Sequence, residues 1–162
     1  MNVATIFAGG TGQRMKMAAC PKQFLKLYGK PIIIYTLEVF QQHPAIDHII
    51  VACVSGWEDR LEKMCSDYGI TKLYKIVQGG KDTQESKLNA LYGLADLCRD
   101  DDIVLMHDAV RPMITAQLIS DNIEAVKKYG SAITADPFTE TGVVSTDGVT
   151  VESTIERSKL YI

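Results

Sequence analysis

Five apolar runs alternate with amphipathic stretches along the 162 residues of the chain. Val3–Ala8, His48–Val54, Leu73–Val77, Ile103–Met106 and Ser131–Ala135 have the length and composition of strands. Between and after them, Pro31–Gln42, Trp57–Tyr68, Thr83–Cys98 and Thr115–Tyr129 read as helices. Pro31 suits a first helical turn, and Leu88, Leu91, Tyr92 and Ala95 recur at helical spacing. Strands that are apolar almost throughout, separated by helices, predict an α/β domain with a mainly parallel sheet covered by helices on both faces. Ligands of such sheets bind beyond the carboxyl ends of the strands. Three Gly-rich or charged segments (9–24, 78–86 and 107–112) each follow a strand and are expected to converge on that edge. Residues 136–156 depart from the pattern and read as a protruding β-hairpin, with Asp147-Gly148 as its turn signal between β-branched residues.

The first of these segments carries the most chemistry. Ala8-Gly9-Gly10-Thr11-Gly12-Gln13-Arg14 leads directly out of the first apolar run, and Pro21-Lys22-Gln23-Phe24 follows. Glycines let backbone N–H groups come close to an anion, because a Cβ would block the approach. Arg14 and Lys22 add fixed positive charge. The spacing excludes a Walker loop, which needs Lys directly after its last Gly where Gln13 stands here. It also excludes a dinucleotide fingerprint, whose third small position would be Met15. The second motif, Met106-His107-Asp108-Ala109-Val110-Arg111-Pro112, closes the fourth run. An acid there, beside a phosphate loop, suits a Mg²⁺ ligand; it equally suits a turn-capping Asp108 partnered by Arg111.

Composition narrows the function further. A net charge of −3 argues against a broad nucleic-acid footprint, so phosphate affinity must come from locally placed cations. No leader-like start and no apolar run near ~20 residues is seen, which points to a cytoplasmic protein without a membrane partner. Cys20, Cys53, Cys65 and Cys98 form no Cys-x-x-Cys pair and read as reduced structural thiols. His43, His48 and His107 are too scattered for a metal pattern.

Taken together, Gly9-Gly10-x-Gly12-x-Arg14, Pro21-Lys22-Gln23-Phe24-Leu25, Gly79-Gly80 with Ser86, and His107-Asp108-Ala109-Val110-Arg111-Pro112 resemble the cytidylyltransferases of the 2-C-methyl-D-erythritol 4-phosphate and ribitol-5-phosphate type. The resemblance runs from residue 3 to residue 162 in motif order and spacing. It implies a Rossmann-like nucleotidyltransferase fold over residues 1–162 as a single domain, with a dimerisation arm at about 136–156, and a homodimer. It implies transfer of CMP from CTP to a sugar-alcohol phosphate with release of pyrophosphate, and Mg²⁺ as cofactor. By matching position, Gly10, Thr11 and Gly12 would cradle the triphosphate, Gly9 would be a further nucleotide-binding residue, and Arg14 and Lys22 would stabilise charge building on the α-phosphate. Ala8, Gly79, Gly80 and Ser86 would lie at the cytosine, Asp108 would hold Mg²⁺, and Arg111, Thr141 and Arg157 would meet the acceptor. Val110, the Gly9-Gly10-Thr11 start and Val143 favour ribitol 5-phosphate over methylerythritol 4-phosphate, whereas Ala109 fits the other branch.

Three features depart from the family pattern. Thr83 stands where the family carries an Arg before Ser86, and Glu140 replaces an Asp before Thr141. After Ile162 the family continues into a stretch with a second acidic metal ligand and another Lys. Without that stretch, residues 1–162 alone are expected to be weakly active or inactive, with a loss on the order of a thousandfold in rate. The competing expectations are a nucleotidyltransferase for another base or acceptor, and a non-catalytic nucleotide-binding subunit or fragment.

Overall fold

A computed structural model of the chain describes residues 1–10 and 20–162. In chain order it contains β1 (Asn2–Ala8), a short 3-10 turn (Lys22–Phe24), β2 (Lys26–Leu27), β3 (Lys30–Pro31), α1 (Ile32–Gln42), β4 (His48–Cys53), α2 (Glu58–Asp67), β5 (Leu73–Gln78), α3 (Thr83–Gly93), β6 (Ile103–Asp108), α4 (Ala116–Tyr129), β7 (Val143–Val144) and β8 (Ser153–Thr154). The chain forms two compact units, residues 1–124 and 125–162.

In the first unit, four of the five expected strands make one parallel sheet in the order β5-β4-β1-β6. After β5 the chain crosses back to the other side of β1, which creates a switch point between β1 and β6. The central strands β1 and β4 are buried almost end to end. One face of the sheet presents Ile6, Ile49 and Val51 to Ile34, Leu37 and Phe40 of α1, to Leu61 of α2, and to Ile119 and Ile123 of α4. The opposite face presents Val3 and Ile50 to Leu94, just beyond α3.

Helix α3 corrects the periodicity reading. Its larger apolar residues point outward, with Leu88 49%, Leu91 38% and Tyr92 74% exposed, while Ser86, Ala90 and Gly93 are buried. The reason is close approach: a Cβ on Gly93 would lie 2.7 Å from Ile50 Cδ1 and 2.8 Å from Val77 Cγ1. A helix this near a sheet can bury only small residues, so the inward stripe is the small one. The helix also stops at Gly93, short of the expected Cys98. At its start, Asp82 accepts from the Glu85 N–H (2.8 Å), and Glu85 reaches back to the Lys81 N–H (2.9 Å).

The β2–β3 hairpin turns on Tyr28 (φ +49°) and Gly29 (φ +83°). Lys30 fastens it to α1 through Glu38, at 2.7 and 2.8 Å, and that carboxylate holds the ammonium pKa above its ordinary value.

In the second unit, Ser131–Ala135 forms no strand, contrary to expectation. Its one large apolar residue, Ile133, is 90% exposed, so the segment buries little that would hold it in a sheet. The main chain just after it pairs with the end of the sequence instead: Asp136 and Ile162 exchange N–H···O bonds of 2.8 and 2.9 Å, and the Phe138 N–H donates to Leu160 O at 2.9 Å. The expected hairpin is present, with Val143 opposite Thr154 and Val144 opposite Ser153. Its strands are shorter and its loop longer than a two-residue Asp-Gly turn, because residues 145–150 wrap around one carboxylate. Asp147 accepts from the Val149 and Thr150 N–H groups (2.8 and 2.7 Å) and from the Ser145 and Thr150 hydroxyls (3.0 and 2.7 Å). These bonds, the backbone ones foremost, hold its pKa well below the ordinary carboxylate range.

Candidate functional site

The sheet register lines up the carboxyl ends of the strands. Ala8 pairs with Cys53, Cys53 with Gln78, and Phe7 with Asp108. The segments that follow therefore emerge together at one edge, as the sequence pattern predicts.

On the β1–β4–β5 side two glycines bring the edge's backbones together. A Cβ on Gly79 would lie 2.9 Å from Gly9 Cα and 3.0 Å from Cys53 O, and a Cβ on Gly9 would lie 3.0 Å from Ser86 Oγ. A side chain at position 79 would force backbone apart, and one at position 9 would press on the Ser86 hydroxyl. The Gly79 N–H donates to Cys53 O at 2.6 Å, which extends the ladder one residue past β5. Buried Ser86 secures the next turn: its hydroxyl donates to Asp82 O (2.8 Å) and accepts from the Gly80 N–H (3.0 Å). Ala8, Gly9, Gly79, Gly80 and Ser86 are thus brought together, and Gly10 continues the loop as an exposed residue. Thr11, Gly12 and Arg14 lie outside the described residues.

Across the switch point, Asp108 ends β6 half-exposed and Arg111 stands exposed beside it. Arg111 Nε donates to Asp108 Oδ2 at 2.7 Å, so the pairing that the i, i+3 spacing allows is made. His107 Nε2 lies 3.0 Å from Arg111 O and tightens the same turn. Among the described residues, no group of three or more His, Cys, Asp or Glu side chains is placed to hold a metal. A cation at Asp108 would have one protein carboxylate and would draw its other ligands from phosphate and water, a set that suits Mg²⁺ and would not suit zinc.

Lys22 lies half-buried in the short turn behind β1. The neighbouring side chains hold that turn in place. Phe24 is buried and stacks on Trp57 with ring centroids 4.5 Å apart, and the Arg60 guanidinium sits 4.7 Å from the centre of the same indole. Buried Gln23 donates from Nε2 to Ala8 O (2.5 Å) and Gly10 O (3.1 Å). Buried Thr36 donates to Ala109 O (2.9 Å), just past Asp108. Gln23, Thr36 and Trp57 are structural members of the site that sequence reasoning missed. The one available signal was an amide, Gln23, set directly before an apolar residue in a segment otherwise notable for its lysine.

The cysteines fit their structural reading. All four are free thiols, and burial foremost pushes Cys53 and Cys65 up to about 12, where no thiolate forms near neutrality. Thr141 and Arg157 belong to the second unit. Thr141 is exposed, and Arg157 donates to Thr139 O at 3.2 Å. Among the described residues, no helix is long and apolar enough to cross a membrane.

Comparison with known proteins agrees with this geometry. The family model for 2-C-methyl-D-erythritol 4-phosphate cytidylyltransferase (IspD) matches residues 2–162. A ribitol-5-phosphate cytidylyltransferase of Vibrio parahaemolyticus serotype O3:K6 is 47% identical over 158 residues, covering 98% of this chain and 66% of its own. A protein of the same name from Streptococcus agalactiae serotype Ia is 41% identical over all 162 residues, which span 68% of its length. Among solved structures, the Francisella tularensis 2-C-methyl-D-erythritol 4-phosphate cytidylyltransferase superposes with a TM-score of 0.76 at 31% identity, covering 100% of this chain and 69% of that one. The Anaerococcus prevotii 4-diphosphocytidyl-2C-methyl-D-erythritol synthase gives 0.79 at 27% identity, covering 99% and 66%. This chain therefore spans about two thirds of the length of the proteins it matches. A parallel sheet with its glycines and its acid on one carboxyl edge, matched along its whole length, makes this chain a member of the 2-C-methyl-D-erythritol 4-phosphate cytidylyltransferase family.

Proposed function

We propose that this protein transfers CMP from CTP to a sugar-alcohol phosphate, with ribitol 5-phosphate preferred to 2-C-methyl-D-erythritol 4-phosphate. The observation that carries the reading is the contact between the Gly9 and Gly79 backbones, to which neither of these two residues adds a side chain and against which the small Ser86 side chain packs. A pyrimidine can approach backbone there, and a purine would be crowded. In this reading Ala8, Gly79, Gly80 and Ser86 meet the base, and Gly9, Gly10, Thr11 and Gly12 meet the phosphates. A phosphate oxygen of the acceptor attacks the α-phosphorus. One P–O bond forms, the bond to the β-phosphate oxygen breaks, and pyrophosphate leaves. The attacking oxygen is already anionic, so no general base is needed. Arg14 and Lys22 stabilise the charge that builds on the α-phosphate. Asp108 would hold Mg²⁺, which when bound offsets negative charge on the triphosphate. Arg111, Thr141 and Arg157 are proposed for the acceptor, the hairpin arm for a homodimer, and the cytoplasm as the compartment. The acceptor preference rests on Val110 and Val143 and on relatives named for ribitol 5-phosphate at 41% and 47% identity.

The test is calorimetric titration with CTP, with UTP, GTP and ATP as competitors, followed by a pyrophosphate-release assay with both acceptors in parallel. CTP is expected to bind, purine nucleotides to compete poorly, and any release to occur with ribitol 5-phosphate. Equal competition by ATP would overturn the base assignment, and release only with methylerythritol 4-phosphate would overturn the acceptor.

A further inference from the structure

We infer that Gln23 is a positioning residue that sets the direction of the nucleotide loop by gripping its carbonyls from behind. The inference rests on the reading of that loop as the CTP cradle. A single buried amide nitrogen donates to two carbonyls of one loop, Ala8 O at 2.5 Å and Gly10 O at 3.1 Å, from 15 and 13 residues away in sequence. A planar trans peptide points its carbonyl and its N–H in opposite directions. With Ala8 O turned toward Gln23, the Gly9 N–H faces away from Gln23. Ala8 O also accepts from the Val54 N–H at 3.0 Å, so its peptide is held by both the sheet and the amide. Among the described residues, the Gly9 N–H has no hydrogen-bond partner. It is a fixed donor at the end of a buried strand, the arrangement that an anion needs.

Gln23 can act in this way because its own backbone is held. Phe24 donates its N–H to Pro21 O at 2.9 Å and stacks on Trp57, and Gln23 itself is 3% exposed. Glycine gives the loop freedom to approach a phosphate, and Gln23 removes the part of that freedom that would turn the donors away.

The variants are Gln23→Met, which keeps shape and loses both bonds, and Gln23→Glu, which sets a carboxylate against two carbonyl oxygens. Leu61→Ala, in the core on α2, serves as the control for lost stability alone. By calorimetry, Gln23→Met is expected to weaken CTP binding by about tenfold or more, the worth of the lost hydrogen bonds. Gln23→Glu should weaken it further at pH 8 and recover in part toward pH 6, where a protonated acid can donate again. Leu61→Ala should lower Tm and leave the CTP affinity within about twofold, since the lost methyl groups lie in the core on α2 and the backbone bond from Leu61 to Trp57 O is kept. A CTP affinity of Gln23→Met equal to wild type, or a loss in Leu61→Ala as large as in Gln23→Met, would overturn the inference. A ligand-free readout separates it from the functional reading. The amide resonances of Gly9 and Gly10 should shift or broaden in Gln23→Met and stay in place in Leu61→Ala. Should the wild-type protein ignore CTP, the reading as a CTP site fails, and those resonances still decide the role of Gln23: unchanged in Gln23→Met, they refute it.

Discussion

Replacing Gly79 with Ala tests the geometry of the site at its tightest point. The added methyl would sit 2.9 Å from Gly9 Cα and 3.0 Å from Cys53 O. Both neighbours are backbone in or just beyond the two central strands, so neither can swing aside as a side-chain tip could. Relief requires the β5 loop to lift away from β1 and strains the 2.6 Å bond from the Gly79 N–H to Cys53 O. Overpacking of this kind costs about 1–3 kcal/mol, offset by about 0.4–1 kcal/mol from the stiffer unfolded chain. The net loss of about 1–2 kcal/mol corresponds to a Tm lower by about 3–6 °C. Gly10→Ala is the contrast. Among the described residues nothing lies within 4 Å of a Cβ there, and φ is not positive. That variant should match or slightly exceed wild-type stability, by up to about 1 kcal/mol. Both variants should bind CTP more weakly, Gly79→Ala by parting the two loops and Gly10→Ala by placing a methyl in the phosphate path. Differential scanning calorimetry and CTP titration give the two readouts. A wild-type Tm for Gly79→Ala would refute the backbone contact, and wild-type CTP affinity for Gly10→Ala would refute the phosphate assignment of the loop.

Three further outcomes follow from single features. Thr5 Oγ1 is buried without a partner among the described residues, so Thr5→Val should raise stability by about 1 kcal/mol in urea denaturation, and a loss would show that the hydroxyl is satisfied after all. Asp108→Asn should remove the gain in CTP affinity that Mg²⁺ gives the wild type over EDTA; an equal Mg²⁺ effect in both proteins would rule Asp108 out as the ligand. The Asp147 pKa is depressed on folding, so the order it contributes is complete above the unfolded value of about 3.9 and is lost only as pH falls through the lower folded value. The Val149 and Thr150 amides should therefore stay protected at pH 3.5, and Asp147→Asn should lose part of that protection at every pH.

Much of the architecture was legible because burial on both faces makes parallel strands apolar throughout, as β1 and β4 are. The convergence of 9–10, 79–80 and 108 follows from each segment lying just after such a strand. Helix α3 was misread because hydrophobic periodicity favours large side chains, and the contact with the sheet is made by Ala90 and Gly93. Ser131–Ala135 carries β-branched residues but too little apolar area to hold a strand, a distinction that local composition does not make. Asp147 illustrates a similar limit: Asp-Gly announces a turn, yet four hydrogen bonds to one side chain decide how long the loop is. Gln23 and Thr36 could not be assigned in advance, since their partners lie 13 to 73 residues away and are backbone carbonyls, which every residue possesses.

The stack of Phe24, Trp57 and Arg60 gives the protein a built-in optical probe. Trp57 is the only tryptophan in the chain, so its emission comes from one place, directly against the residue that follows Gln23. An indole stacked on a phenyl ring with a guanidinium over it is sensitive to small separations of the stack. Its spectrum should move when the 21–24 turn shifts. Loop seating could then be followed in milliseconds, in unlabelled protein, under conditions where no turnover needs to occur.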